Sequence, residues 1–233
     1  MSVTITLLTF FLLPLIAGGS VRAVKPNARF LRLMLSFSGA FLLGVMVMHM
    51  LPELYAGAGE AIGYWLIAGF LLQVVLEFFS HGIEHGHMHM HAERSLPLLM
   101  LVSLFIHSYV EGVPFADPAI SGDTAFLLGV LLHKMPMAIA LAAVLWKSGS
   151  GMWVSWMVLV IFSAAAPLGI LTGTWLGGDM GPEVLHQALA LAIGMLLHIS
   201  TTIIFESAPD HRFHLARFAA VLTGATLAGF IVH

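Results

Sequence analysis

The sequence predicts an all-α membrane protein: a polytopic helical bundle of eight transmembrane helices, built as one domain over residues 1–233. Three observations predict it. Hydrophobic residues make up 59% of the chain and charged residues only 9%, against roughly 25% charged in ordinary soluble domains. Eight runs match the ~20 apolar residues that cross a bilayer, near 3–21, 33–53, 61–81, 96–114, 124–146, 152–176, 183–205 and 213–232. The loops between them also segregate by charge. With alternating sides, Arg22, Lys25, Arg29, Arg32, Arg94, Lys147, Arg212 and Arg217 fall together, opposite Glu60, Asp117, Asp123, Asp179 and Glu183. Basic loops stay in the cytoplasm. A multi-pass protein of the cell (inner or plasma) membrane is expected, with both termini outside.

The first run lacks a charged start and a small-residue cleavage site, and basic residues follow it, so it reads as a retained helix and not as a leader. The second carries His49 and Glu53 near its end, and Met46, Met48 and Met50 at a spacing of two. That spacing spreads the thioethers around a helix, where a soft-metal track needs them on one face. The third carries Glu77 and His81, and the cytoplasmic connection after it, residues 82–95, holds His85, His87, His89 and His91. Such a histidine-rich tract can collect metal loosely; its bland reading is a solvated turn.

The fourth run reads Ile106-His107-Ser108-Tyr109-Val110-Glu111-Gly112. Four-residue spacing sets His107 and Glu111 on one helix face, where imidazole and carboxylate can meet one cation. The fifth reads His133-Lys134-Met135-Pro136-Met137, and Pro136 cannot donate to the carbonyl of Leu132, which predicts a kink beside His133. The sixth contains Ala166-Pro167-Leu168-Gly169, the seventh His198 with Thr201 and Thr202, and the eighth closes the chain.

Ionisable groups inside a membrane mark functional sites by default. Taken singly, each could be a polar group hydrogen-bonded between helices. Three His and Glu pairings at four-residue spacing favour metal ligation. With no cysteine in the chain, disulfides are excluded and any zinc-type site must use nitrogen, oxygen or thioether ligands.

These residues resemble the ZIP (Zrt-, Irt-like protein) family of metal transporters over the whole eight-helix chain. His107 to Gly112 is similar to the family's fourth-helix metal signature, and His133 to Pro136 to its fifth-helix partner. His49 to Glu53, Ala166 to Gly169 and the histidine-rich loop add to the likeness, and His198 to Thr202 is similar to a bacterial subgroup. The resemblance implies a 3+2+3 arrangement, with inverted outer triplets and a metal site on the middle two helices. Met137 departs from it, standing where the family usually has glutamate; Lys134 falls where some members place another ligand, which points to a single metal.

The expected function is transport of a divalent metal ion into the cytoplasm, zinc first, with iron, manganese and cobalt as alternatives. His107, Glu111 and His133 would hold the ion, with Ser108 and Met137 in support. His49 and Glu53 would lie on the outer approach. Glu77, His81, His198 and the tract His85, His87, His89 and His91 would lead inward. The metal is cargo, with no prosthetic group. The expected partners are divalent ions and the lipid bilayer, with a homodimer allowed and no nucleic acid. The competing readings are an intramembrane zinc-dependent hydrolase, against which stands the lack of a His-Glu-x-x-His helix, and a membrane metal sensor or binding subunit that does not transport.

Overall fold

The computed structural model describes residues 3–24, 27–80, 82, 98–206 and 214–232. Lys25, His81, Arg94, Arg212 and the tract His85, His87, His89 and His91 lie outside the described residues.

Helices α1 (Val3–Val24) and α2 (Ala28–Val45) come first; α2 runs through a turn of π-helix (Met46–Met50) into α3 (Leu51–Ala58). They are followed by α4 (Ile62–Ser80), α5 (Leu98–Gly112) with a 3-10 turn (Val113–Ala116), and the short α6 (Pro118–Gly122). Helices α7 (Thr124–Lys147), α8 (Met152–Met180), α9 (Pro182–Glu206) and α10 (Leu215–Val232) complete the chain. Eight spans among the described residues are long and apolar enough to cross a membrane, as the sequence predicts.

The second span is longer than expected, 28–58 in place of 33–53. Asn27 starts it by accepting a hydrogen bond from the Phe30 backbone N–H at 2.7 Å. Arg29 and Arg32 ride on its exposed first turns with their charged heads free to reach the interface. Near its other end Pro52 removes a backbone donor, and the turn just before it widens to the π form, as helices do where the regular ladder is broken. Gly59, at φ 74°, then ends the helix in a conformation that favours glycine. In the fifth span, where the sequence predicts a kink, α7 continues as one helix through Pro136.

Large apolar side chains face outward: Trp153 is 86% exposed, Tyr64 80% and Phe78 76%. In water such a surface would drive association; on helices long and apolar enough to cross a membrane it is the kind of face that suits lipid.

The helices pair in a reciprocal scheme. α4 packs on α9, α2 on α10, α5 on α8, α1 on α7, α1 on α8 and α2 on α9. Exchanging α1 with α8, α2 with α9, α4 with α10 and α5 with α7 returns the same pairs. Such self-mapping is what inverted repeats produce. Glycines let the backbones touch at these crossings. A Cβ on Gly69 of α4 would strike the Leu191 carbonyl of α9, and one on Gly194 of α9 would strike the Leu66 carbonyl of α4. Gly112 and Gly169 make the same two-way contact between α5 and α8.

Two apolar clusters fill the bundle. One gathers Phe41, Met50, Leu54, Phe115, Phe126 and Ile170 toward the end with the acidic loops. The other gathers Leu31, Leu35, Leu104, Leu141, Leu145 and Phe162 toward the end with Arg22 and Lys147. Along α5 and α7 the polar residues fall between the two clusters.

Candidate metal centre

α5 and α7 present His107, Glu111 and His133 to one another, and all three are fully buried. One ligand atom from each lies within 4.8 Å of the others. Four-residue spacing brings His107 Nε2 to 3.0 Å from Glu111 Oε1. The His107 and His133 rings meet edge to face, with centroids 5.9 Å apart. His133 lies near the middle of α7, nine residues on from Thr124 in a helix of 24.

Ser108 is also fully buried, and its hydroxyl has no hydrogen-bond partner among the described residues. An orphaned buried oxygen beside the ligand group suits the supporting role expected of it. Met137 stands one turn beyond His133, packed in the second apolar cluster with Leu104 and Leu141.

Lys134, 1% exposed, reaches across from α7 and places Nζ 2.5 Å from Glu111 Oε2. Its ammonium also lies 5.9 Å from the centre of the Phe162 ring, a favourable cation–π distance. The carboxylate is thus shared: Oε1 faces the histidines and Oε2 the lysine. A buried ion pair of this kind is stable only because each charge satisfies the other.

A third partner was not predicted. Gln73 of α4, fully buried, sets Oε1 3.0 Å from His107 Nδ1. Sequence spacing gives no hint of it, because the two residues meet only through the packing of α4 on α5.

A second group sits at the acidic end. His49, in the π turn, lies 3.4 Å from Glu53 through Nδ1 and 2.6 Å from Asp123 through Nε2. The three offer ligand atoms within 4.8 Å of one another, with His49 and Asp123 partly buried and Glu53 exposed. The sequence marks Asp123 only as one of the loop acids; in the structure it ties α7 to the second span through His49 and caps α7 by accepting from the Phe126 N–H at 2.8 Å.

On the opposite side of the ligand group, Glu77 of α4 lies 3.3 Å from His198 Nδ1 of α9. Phe70 packs edge-on against the same imidazole. The pairing expected within the third span, Glu77 with His81, cannot be followed, because His81 lies outside the described residues. The hydroxyls of Thr201 and Thr202 bond to carbonyls of their own helix, so they serve α9 locally.

The profile of a family described as "ZIP Zinc transporter" matches residues 84–232, more than half of the chain and all of both central helices. Zinc transporter ZIP13 of Pongo abelii is 28% identical over 159 residues, which cover 60% of this chain and 47% of that protein. Zinc transporter YKE4 of Saccharomyces cerevisiae is 24% identical over 242 residues, covering 87% of this chain and 69% of that protein. The chain therefore spans about half the length of the first relative and about two thirds of the second.

Proposed function

The chain belongs to the ZIP family of zinc transporters, and from that premise we propose that it carries a divalent metal ion, zinc first, across the cell membrane into the cytoplasm. The observation that carries this reading is the convergence of three fully buried ligands, His107, Glu111 and His133, from two adjacent membrane helices. Imidazole with carboxylate suits zinc and admits iron, manganese and cobalt.

The path begins at the acidic loops, where Asp123, His49 and Glu53 meet the hydrated ion. From Asp123 to His133 is ten residues of α7, about 15 Å of helix. At the buried site the ion takes His107 Nε2, Glu111 Oε1 and a nitrogen of His133, with Ser108 and Met137 nearest to complete the shell. Lys134 already neutralises Glu111, so ligation holds the ion more than net charge does, and a weakly held ion can leave. Release passes Glu77 and His198 toward His81 and the tract of His85, His87, His89 and His91. Apolar clusters lie beyond the site on both sides, so passage requires them to part in turn, as alternating access demands.

Purified protein in liposomes loaded with a fluorescent zinc indicator tests this. Wild type is expected to carry zinc, and His107→Ala, Glu111→Ala and His133→Ala to abolish flux while remaining folded. Wild type that binds zinc yet passes none of a panel of divalent ions would overturn transport in favour of a sensing or binding subunit.

A further inference from the structure

The geometry points to Gln73 as a positioning residue for the metal centre: its amide oxygen keeps the ring proton of His107 on Nδ1, leaving the Nε2 lone pair for the ion. The inference rests on the transporter reading and concerns the same site.

A neutral imidazole has one N–H and one lone pair. On His107, Nδ1 lies 3.0 Å from Gln73 Oε1 in hydrogen-bond geometry, whereas Nε2 lies 3.0 Å from Glu111 Oε1 with no hydrogen bond between them. The ring proton therefore has its acceptor on the Gln73 side. Without Gln73, a small turn of the ring would let Glu111, a stronger acceptor than an amide, draw the proton onto Nε2 and block the nitrogen that faces the ligand group. Gln73 supplies the opposing acceptor. When the ion arrives, Nε2 and Oε1 both turn their lone pairs to it, and the Nδ1–H bond to Gln73 is unchanged.

Glutamine meets the requirement without adding a charge to a fully buried position. A leucine there would fill the space but leave Nδ1–H without an acceptor, which is expensive in a dry interior. The Gln73 amide nitrogen has no partner among the described residues. If the amide were reversed, its N–H would donate to Nδ1 and force the proton onto Nε2, closing the site. α4 therefore decides whether His107 can be a ligand, although it contributes no ligand to the buried group. The same helix carries Glu77 one turn further on, paired with His198.

The test uses the full-length protein in detergent with nitrogen-15 histidine, metal-free and at mildly alkaline pH, the His107 signals being assigned by their loss in His107→Ala. Wild type and Gln73→Glu are expected to show Nδ1 protonated and Nε2 bare, and Gln73→Leu to show the proton on Nε2. With cobalt as the probe, Gln73→Leu should bind about 10–100-fold more weakly, the usual effect of losing an outer-shell partner. Gln73→Glu, which keeps an acceptor on Nδ1–H although it buries a charge, should bind cobalt more tightly than Gln73→Leu, and Gln73→Leu should add nothing in a His107→Ala background. Cobalt-binding wild type with the proton on Nε2 overturns this role alone. An equal loss from Gln73→Leu with and without His107 also overturns it, since packing would then explain the effect. Wild type with the Nδ1 signature but no cobalt binding overturns the transporter reading and this role together.

Discussion

Lys134 Nζ sits 2.5 Å from Glu111 Oε2 while His107 Nε2 sits 3.0 Å from Glu111 Oε1, so one buried carboxylate is divided between a fixed cation and the group proposed to receive a mobile one. The ammonium compensates Glu111 when no metal is present, and it opposes a divalent ion arriving on the other oxygen.

Lys134→Met should therefore lower stability without metal and raise the response to it. Breaking a buried pair from one side typically costs about 3–5 kcal/mol. In thermal unfolding with and without zinc, the metal-free variant should melt below wild type and show the larger zinc-induced rise. An unchanged zinc response would mean that Lys134 does not oppose the ion.

Met137→Glu returns a carboxylate one turn from His133. Adding a hard oxygen ligand should tighten binding and move preference from zinc toward manganese. Competition between the two ions in the liposome assay reads this directly, and identical selectivity in variant and wild type would remove Met137 from the site.

Asp123→Asn tests the outer group while sparing the helix cap, because asparagine caps as well as aspartate. The zinc concentration for half-maximal flux should rise several-fold, with cobalt affinity at the buried site unchanged. If flux at all concentrations falls equally, His49 and Asp123 act as a structural tie instead.

Gly69→Ala should destabilise the bundle severely, since its methyl group meets the Leu191 backbone, which cannot move aside as a side chain can. Gly57→Ala meets nothing within 4 Å and should unfold like wild type in a detergent melting assay. Equal stability of the two would refute the close α4–α9 crossing.

Much of this molecule was legible in the sequence because a bilayer imposes length and polarity on every span. Eight apolar runs and the four-residue spacing of His107 and Glu111 follow from helix geometry alone. The end of the second span was not legible: residues 54–58 continue the helix past Pro52 by way of a π turn. Partners on other helices were the larger gap. Asp123 on His49, Gln73 on His107 and His198 on Glu77 each depend on how far one helix slides along its neighbour, and that offset leaves no periodic trace in either segment. Lys134 is an intermediate case: a buried ammonium demands an acid, and only the packing of α7 on α5 shows that acid to be Glu111.

A bundle whose main helix crossings return to themselves when the two halves are exchanged presents much the same frame from either end. Its contacts supply no arrow across the bilayer. The direction must be written elsewhere, and Arg22, Arg29, Arg32, Lys147 and Arg217 are the marks available to write it, with no basic counterpart in the loops at the other end. Shape leaves the two faces of this protein much alike, and a handful of guanidinium and ammonium groups are what sets one apart from the other.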